Sequence, residues 1–575
     1  MDRKTIIAFG LIVLVIVILP YYYKLVIPEQ AQQEPPVDSV AVVSEPVRQQ
    51  TETAIGEEAT PEHVEEWGGG GDQAYDPVAA DLGFSAENSP ESIIVDTPLY
   101  ELVFSSRGAV LTDMRLKQYE GIDDGLVQLI RQQSADILSI VLYNNGRKFD
   151  TQGLRFQPNK KRISLHEGQT GSLLFEARNE RGGVIRKTYT FNADHYPFEL
   201  QLKTAGFSGI DSFYDVVWGS GLEITEPDSI QDIQYAQAYA YMGDELETFK
   251  GKGDRTVEGQ ASGITEWVAQ RNKYFAAVIL PRSSMGRGVE FKILAQPKTG
   301  KNRPKVYGMA LKMDGKTDVE PAQFEVYCGP LDQSRLKEIH PNLEEMMSWG
   351  WPIIEPFSKG VLWSLKFLHG FIPNYGFVLI IFSVFVKILV WPLTHKSTRA
   401  MSRMSAVQPM MKEIQEKYKG QPEKLNKAVM QLYKEEGVNP FSSCWPTLLQ
   451  MPLLYSLFII FRATIQLRGE PFIFWITDLS KPDIIFDLPF SIPLYGAHVA
   501  LLPIFMGITQ FLMSKVMITD PKQKPTMYMM PFFMVMIFNN FPSGLTLYYT
   551  LFNLLTYLQQ TYLKQQVAKP VVRKS

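Results

Sequence analysis

The chain of 575 residues has little that supports familiar catalytic chemistry. It contains two cysteines, Cys328 and Cys444, and because Cys444 opens an apolar stretch, we expect no structural disulfide between them. Its seven histidines are scattered, with no HxxxH or HxH spacing, and no P-loop, GxGxxG, GxSxG or CxxC motif occurs. A net charge of −4 gives no overall nucleic-acid footprint. The sequence therefore offers no nucleotide, metal or acyl-transfer chemistry, and we expect no catalytic residue and no cofactor.

Charge is distributed unevenly along the chain. Residues 29–96 carry sixteen Asp or Glu against a single basic residue, Arg48. Residues 29–92 are rich in Pro, Glu, Gln and Ala, contain a Gly68–Gly71 run, and have few aromatics. Such a segment cannot bury enough apolar surface to fold, so we predict a disordered acidic linker over 29–92.

The N-terminal residues 1–28 are apolar from Ile6 to Leu19 and follow a short charged start. A cleaved signal peptide is one interpretation. No small-x-small cleavage site follows the apolar run, whereas Pro20 and three tyrosines do. We therefore favour an uncleaved membrane anchor, the first span, with its N-terminus inside.

Residues 93–340 read as β-structure. Short runs rich in β-forming residues are divided by Asn-Gly and Gly-Gly turns. Examples are the runs Leu99–Phe104, Leu138–Tyr143 and Leu173–Ala177 and the turns Asn145-Gly146 and Gly182-Gly183. We predict a large, mostly antiparallel, extracytoplasmic sandwich.

The C-terminal part is predominantly apolar. Residues 341–372 mix Trp, Met and Ile with Glu and Pro, which favours amphipathic helices lying in the membrane interface. Residues 373–563 contain five further spans, predicted at about Tyr375–Leu393, Phe441–Phe461, Leu494–Met513, Met527–Phe541 and Leu545–Leu563. The predicted fold class is a polytopic α-helical membrane protein of six spans with a large all-β sandwich domain.

Orientation follows from Lys and Arg. Loop 396–436 has nine basic residues against five acids, and the tail 564–575 is basic, so both termini are predicted to be cytoplasmic. Arg462 and Arg468 break this rule, because they lie on the outer face. Apolar residues at three- and four-residue spacing predict a cytoplasmic helical hairpin over 396–436, broken at Gly420 and Pro422. Its candidate functional residues are Arg399, Arg403, Met411, Lys412 and Tyr418.

Lys387 lies inside the second predicted span. Nine residues at about 1.5 Å each separate it from Lys396 by roughly 13 Å, which places it near the middle of the bilayer. A charge there costs at least about 2.5 kcal/mol. The third to sixth predicted spans contain no Asp or Glu to act as a counter-ion. We therefore predict a hydrated groove around Lys387, lined by polar residues of the spans, among them Ser383, Gln450, Thr509, Thr546 and Tyr549.

These features occur together with a set of short motifs. They are Trp391-Pro-Leu-Thr394, Asn439-Pro440, Cys444-Trp-Pro446, Gln450-Met-Pro452, Thr519-Asp-Pro521 and Phe541-Pro-Ser-Gly-Leu-Thr-Leu-Tyr-Tyr549. Residues from about 357 to 563 resemble the YidC/Oxa family of membrane protein insertases. The anchor, linker and β domain resemble the Gram-negative form, by layout more than by motif.

The resemblance implies a non-enzymatic insertase and chaperone of the bacterial inner membrane. It implies that Lys387 stands where the family usually has arginine, in a hydrophilic groove open to cytoplasm and lipid. Met451 and Pro452 would contact substrate helices from the third span, and Ile537 and Phe538 from the fifth. The β domain would be a periplasmic β-super-sandwich similar to sugar mutarotases. Implied partners are nascent membrane proteins, the lipid bilayer, the Sec translocon and SecDF, the ribosome and the signal-recognition machinery.

Two alternatives stay open at this point. A small-solute transporter would show internal repeats and broken helices, and neither is evident. A membrane-tethered carbohydrate-active enzyme would need a convergent carboxylate pair, or a His–Glu pair, in the β domain.

Overall fold

The computed structural model describes residues 77–85, 89–122, 125–131, 136–207, 210–227, 229–251, 256–295, 305–436, 445–517 and 524–567. Within these ranges the structure does not describe the side chains of 77, 230, 231, 295, 393–406, 408, 412, 422, 445–450, 517, 524, 526 and 563–567. The predicted anchor 1–28, most of the linker 29–92 and most of the tail 564–575 therefore lie outside the described residues.

Nineteen strands in the described chain form one sheet that is antiparallel except where β1 pairs with β8. Their bounds are β1 Ser92–Asp96, β2 Tyr100–Ser105, β3 Val110–Glu120, β4 Leu126–Ile130, β5 Ile137–Asn144, β6 Arg147–Asp150, β7 Gln157–Pro158, β8 Arg162–Ser164, β9 Thr170–Arg178, β10 Val184–Asn192, β11 Phe198–Ala205, β12 Ile210–Trp218, β13 Gln237–Met242, β14 Glu245–Phe249, β15 Val257–Arg271, β16 Phe275–Pro281, β17 Gly286–Ala295, β18 Lys305–Asp314 and β19 Ala322–Pro330.

The predicted β domain is confirmed in its class and in its turns. Asn145 and Gly146 both have positive φ, 49° and 75°, as a two-residue hairpin turn between β5 and β6 requires. Gly182 (φ 85°) turns β9 into β10, whose side chains alternate strictly between buried and partly exposed. Large aromatic side chains such as Trp218 and Trp267 fill the core.

The end of the predicted linker is folded, which corrects the prediction of disorder over 29–92. Residues Pro77–Asp81 form a short helix, α1, and Ala79 is fully buried. Phe84 stacks between Phe149 and Phe207, each with ring centroids 5.8 Å away. One apolar anchor is enough to attach a segment whose overall composition is polar.

Ten helices are described. Their bounds are α1 Pro77–Asp81, α2 Ser229–Tyr235, α3 Gln333–Ile339, α4 Glu355–His369, α5 Tyr375–Lys417, α6 Pro422–Glu435, α7 Trp445–Ala463, α8 Leu502–Met517, α9 Lys524–Phe538 and α10 Ser543–Val567. Helix α10 packs against α5 and α8, α9 packs against α8, and α4 packs against α5 and α7.

Segment 341–372 is only partly as predicted. Residues Pro341–Met346 form a 3-10 turn whose Leu343 and Met346 are buried in the β-domain core, so this piece is not an interfacial helix. Helix α4 does have the predicted amphipathic form, since Trp363 (66% exposed) and Phe367 (53%) stack on its outer side.

Helix α5 runs without interruption through Pro392 and Pro409, so the second span continues directly into the first helix of the predicted hairpin. The chain then turns at Gly420 (φ 88°) and restarts at Pro422, where the sequence predicted the break. Val407 and Leu432 are buried together and join α5 to α6.

The predicted fourth span starts too early. Residues Ile484–Ile492 (β20) and Gly496–Ala500 (β21) form an antiparallel two-stranded ribbon, and helix begins only at Leu502. Leu494 (φ 69°) and Gly496 (φ 103°) adopt left-handed turn conformations that a helix does not contain.

One described helix is long and apolar enough to cross a membrane, residues Tyr375–Pro392 of α5. Three shorter apolar helices accompany it, Met451–Ala463, Leu502–Val516 and Met527–Phe538. The outward side of α5 is apolar throughout this stretch, with Phe377, Phe385 and Ile388 between 47% and 65% exposed. A fully apolar exposed face on a helix of this length suits contact with lipid.

Candidate functional site

Lys387 lies on the inward side of α5, and the residue is only 5% exposed. Its Nζ donates a hydrogen bond to the Thr556 hydroxyl on α10 (2.8 Å) and lies 4.7 Å from the centroid of the Phe552 ring. The Thr556 hydroxyl in turn donates to the Phe552 carbonyl (2.6 Å), which turns an oxygen lone pair toward the ammonium. Two residues one helical turn apart on α10 therefore hold the cation.

The partners of Lys387 are neutral. In the part of the chain that the structure describes, no carboxylate lies within ion-pair distance of its ammonium. One hydroxyl acceptor leaves two of the three N–H donors without a protein acceptor among these residues. The site can therefore attract and hydrogen-bond an anionic or strongly polar group.

Helix α10 presents a stripe of polar residues that includes the partner of Lys387. Thr546, Tyr549, Asn553, Thr556 and Gln560 follow one another at alternating spacings of three and four, which places them on one helix face. All but Tyr549 are less than 10% exposed, so the stripe lies inside the bundle. Sequence reasoning missed Thr556 and Gln560, although continuing the spacing from Thr546, Tyr549 and Asn553 finds both.

Three of the predicted groove residues satisfy their hydroxyls within their own helices. Ser383 donates to the Leu379 carbonyl (2.7 Å), Thr546 to that of Pro542 (3.2 Å) and Thr509 to that of Met506 (2.9 Å). Ser383 and Thr546 are fully buried, whereas Thr509 is partly exposed. A hydroxyl that bonds to a carbonyl of its own helix can be buried without a hydrogen-bond partner on another helix.

The remaining predicted groove residues are Tyr549 and Gln450. The ring of Tyr549 packs edge-to-face on Phe538, with centroids 5.0 Å apart. The side chain of Gln450 lies outside the described residues, as do those of Arg399, Arg403 and Lys412 in the predicted hairpin. Met411 is described, and its sulfur accepts a hydrogen bond from the Tyr433 hydroxyl (3.2 Å), while Tyr418 caps the end of α5.

The four predicted substrate-helix contacts divide into two kinds. Met451 and Ile537 are 51% and 41% exposed and present apolar surface outward. Phe538 is buried against Phe541 and Tyr549, so in this conformation it packs within the bundle. Pro452 lies inside α7 and is half-buried.

A buried ion pair joins the β domain to the helical part of the chain. Arg468, in the loop after α7, pairs with Glu226 at 2.6 Å and donates to the Glu120 carbonyl at 2.8 Å. Burial raises the pKa of Glu226, although the Arg468 charge opposes that effect. A second contact is made by Asp332 at the start of α3, which accepts from Lys366 of α4 (2.8 Å).

The β domain has its own cavity, of about 410 Å³. Its lining includes His195, Glu199, Glu325 and Glu338, the residue types that the enzyme alternative needs. The Glu325 carboxylate accepts from Arg282 Nε at 2.9 Å, which suits a structural ion pair better than a proton-transfer group.

Comparison with known proteins assigns the chain to a family. The family model described as the 60Kd inner membrane protein matches residues 367–570, and that of the YidC periplasmic domain matches residues 92–363. The membrane protein insertase YidC of Chlorobaculum parvum is 35% identical over 585 residues, covering 99% of this chain and 95% of the relative. The chain belongs to the YidC family of membrane protein insertases. The YidC of Chloroherpeton thalassium is 34% identical and is covered over 98% of its length.

A solved YidC structure gives a looser match. The crystal structure of an active YidC insertase with its first transmembrane domain resolved is 17% identical, covers 84% of this chain and 96% of that chain, and has a TM-score of 0.36. Family membership therefore rests on the sequence matches. It confirms the predicted family, an inner-membrane insertase with a periplasmic β domain.

Proposed function

We propose that this insertase moves the hydrophilic segment of a client protein past a polar site formed by Lys387 and the α10 stripe. The observation that carries the proposal is the buried Lys387 ammonium, held by Thr556 and Phe552 and not neutralised by any carboxylate of the described chain. A buried cation with neutral partners favours an acidic or strongly polar client segment.

The apolar part of a client helix would leave along the exposed faces of α7 and α9. Met451 and Ile537 supply flexible, apolar surface there, and methionine adapts to helices of different shape. Burial of about 20 apolar residues in lipid then drives the process, with no bond made or broken. A photocrosslinker placed at Met451 or Ile537 should capture a stalled nascent membrane protein, whereas one at Trp363, which is more exposed than either and lies on α4, should not.

The topology proposed for this function has six spans and cytoplasmic termini. The basic loops support it, because positive charge is retained on the cytoplasmic side. It places α6 and the last part of α5 in the cytoplasm as a helical hairpin and the β domain in the periplasm. The hairpin would then meet the ribosome or the signal-recognition machinery, and the periplasmic side would meet the Sec translocon and SecDF.

Insertion into proteoliposomes tests the Lys387 site. Lys387→Met keeps the apolar stem but removes the charge, and it should lower insertion of clients with acidic tails more than that of clients with neutral tails. Lys387→Arg restores the charge and should retain insertion. Equal insertion by the Met and parent proteins for both client classes would contradict the proposal.

A further inference from the structure

The β20–β21 ribbon exposes apolar side chains on both of its faces. Ile484, Ile485 and Phe486 are 45–52% exposed on β20, Phe490 is 61% exposed, and Leu494 at the turn is 66% exposed. Over the seventeen residues 484–500, Asp487 is the one residue with a formal charge at neutral pH. A two-stranded ribbon has no core in which to bury these side chains. Exposure of so much apolar surface to water is unfavourable and indicates a contact with another apolar surface.

The base of the ribbon is held firmly by side chains of the helical region. Asn539, at the end of α9, donates to the carbonyls of Tyr495 (2.8 Å) and His498 (2.7 Å) and accepts from the Ala500 N–H (3.0 Å). Asp483 accepts from the backbone N–H of Leu502 at 2.7 Å, where α8 begins. The ribbon is therefore a fixed extension of the α8–α9 pair.

The ribbon continues directly from the outer ends of two apolar helices. Helix α8 begins at Leu502, two residues after β21 ends, and α9 ends at Phe538, next to Asn539. Both helices are apolar and lie in the part of the chain that matches the inner-membrane family model. The ribbon therefore starts where these helices reach the outer edge of the hydrocarbon core.

The side of the membrane is fixed by neighbouring contacts. The segment that leads into β20 bonds to the start of α10, since the Ser543 N–H donates to the Lys481 carbonyl (2.8 Å). The same segment belongs to the α7–α8 connection whose Arg468 is buried against Glu226 of the periplasmic β domain. The ribbon is therefore on the periplasmic side.

We propose that the β20–β21 ribbon is a membrane-interface anchor that embeds in the periplasmic leaflet and binds phospholipid at the boundary of headgroups and acyl chains. Its unpaired strand edges need hydrogen-bond partners, which the headgroup region supplies and the hydrocarbon core does not. Trp475 and Phe474 beside its base add the aromatic character typical of that depth. This proposal depends on the chain being a membrane protein of the YidC family, and it does not depend on the role proposed for Lys387.

Collision accessibility of nitroxide labels tests the proposal on the full chain in nanodiscs of phosphatidylethanolamine and phosphatidylglycerol. The label is attached to Phe490→Cys or Leu494→Cys in a Cys444→Ser background. The other native cysteine, Cys328, is kept because it is fully buried and does not react with the label. Val319→Cys, 72% exposed in the β domain, is the water reference, and Ile388→Cys, 65% exposed on α5, is the lipid reference.

The ribbon labels should collide with a water-soluble nickel chelate several-fold less often than the Val319 label, and with oxygen at a rate between those of the Val319 and Ile388 labels, because oxygen concentrates toward the bilayer centre. Collision with the chelate at the Val319 level would overturn the proposal, because the ribbon would then project into water. Protection from both the chelate and oxygen would also overturn it, in favour of contact with a second copy of the chain.

Discussion

The Nε atom of Arg468 lies 2.6 Å from Oε1 of Glu226, with 7% and 5% of the two side chains exposed. This pair explains an exception to the positive-inside rule, since Arg468 lies in a loop on the outer face. Its guanidinium is needed there to neutralise a β-domain carboxylate and to satisfy the Glu120 and Thr225 carbonyls. The positive-inside rule cannot reveal such a pair, because it counts charges without knowing their partners.

Removal of Arg468 should weaken the attachment of the β domain to the helices. Arg468→Ala leaves Glu226 buried and unpaired, a change that costs about 3–5 kcal/mol. Thermal unfolding of the full chain in micelles should show an earlier transition. Arg462→Ala is the matched control, because the described contacts of Arg462 are a 3.5 Å hydrogen bond to Gln234 and a cation–π contact with the Phe458 ring, and their loss leaves no buried carboxylate without its partner. Equal transitions for the two variants would show that the buried pair is not important for stability.

Gly376 at the start of α5 should not tolerate a side chain. A Cβ there would overlap the ring of Phe472, so Gly376→Ala should destabilise the chain by about 1–3 kcal/mol. Gly360 in α4 has open space around it, and Gly360→Ala should be neutral or stabilising by up to about 1 kcal/mol. Unfolding of both variants by denaturant measures the difference, and similar values would contradict the predicted contact.

Two buried groups, Asp136 and Lys187, make the free energy of unfolding of the β domain depend on pH. Their combined contribution to stability should be lowest near pH 7–8. Burial raises the pKa of Asp136 to about 8, with the Asp150 charge adding to it and Arg107 opposing it. The folded chain then binds more protons than the unfolded chain from about pH 4 to 8, so stability falls as pH rises through that window. Burial lowers the pKa of Lys187 to about 7, against the Asp150 charge.

For Lys187 the sign is opposite. The unfolded chain binds more protons between about pH 7 and 10.4, so stability rises with pH there. Asp136→Asn should flatten the fall below pH 8, and Lys187→Met should flatten the rise above pH 7. The unfolding transition of the β-sheet, followed by circular dichroism across pH, measures both slopes. Unchanged slopes in these variants would assign the pH dependence to other groups.

The hydroxyl of Thr556 should matter for insertion, whereas that of Thr550 should not. Thr556→Val removes the hydrogen bond to the Lys387 ammonium, a bond to a charged group with a worth of about 1.5–3 kcal/mol. Thr550 lies on the same helix and donates only to the Thr546 carbonyl (2.8 Å), so Thr550→Val is its matched control. Insertion rates of an acidic-tailed client should fall in the first variant only.

Patterns that depend on one segment could be predicted from the sequence. The Asn145-Gly146 turn and the break at Gly420 and Pro422 follow from backbone preferences of those residues, and both are present. Continuity of α5 through Pro392 could not be predicted, because proline is tolerated in membrane helices as well as at their ends. Phe84 attaches a polar segment through contacts that only the folded sheet provides.

The site shows the same division. The anomaly at Lys387 is visible in the sequence, since a cation inside an apolar span stands out. Its partner Thr556 is one of several hydroxyl residues in α10. Only the packing of α10 against α5 shows which of them contacts Lys387. The ribbon was hidden because Leu494 and the residues after it are as apolar as a span, and composition does not separate a short apolar strand from the start of a helix.

The most direct test of the Lys387 site is a charge exchange between insertase and client. Lys387→Glu is assayed in proteoliposomes with two clients that differ only in an acidic or a basic tail, beside the parent protein. The account predicts that the variant inserts the acidic-tailed client poorly and regains insertion with the basic-tailed one. If Lys387→Glu inserts the acidic-tailed client as well as the parent protein does, the charge at residue 387 does not guide the client and the proposal fails.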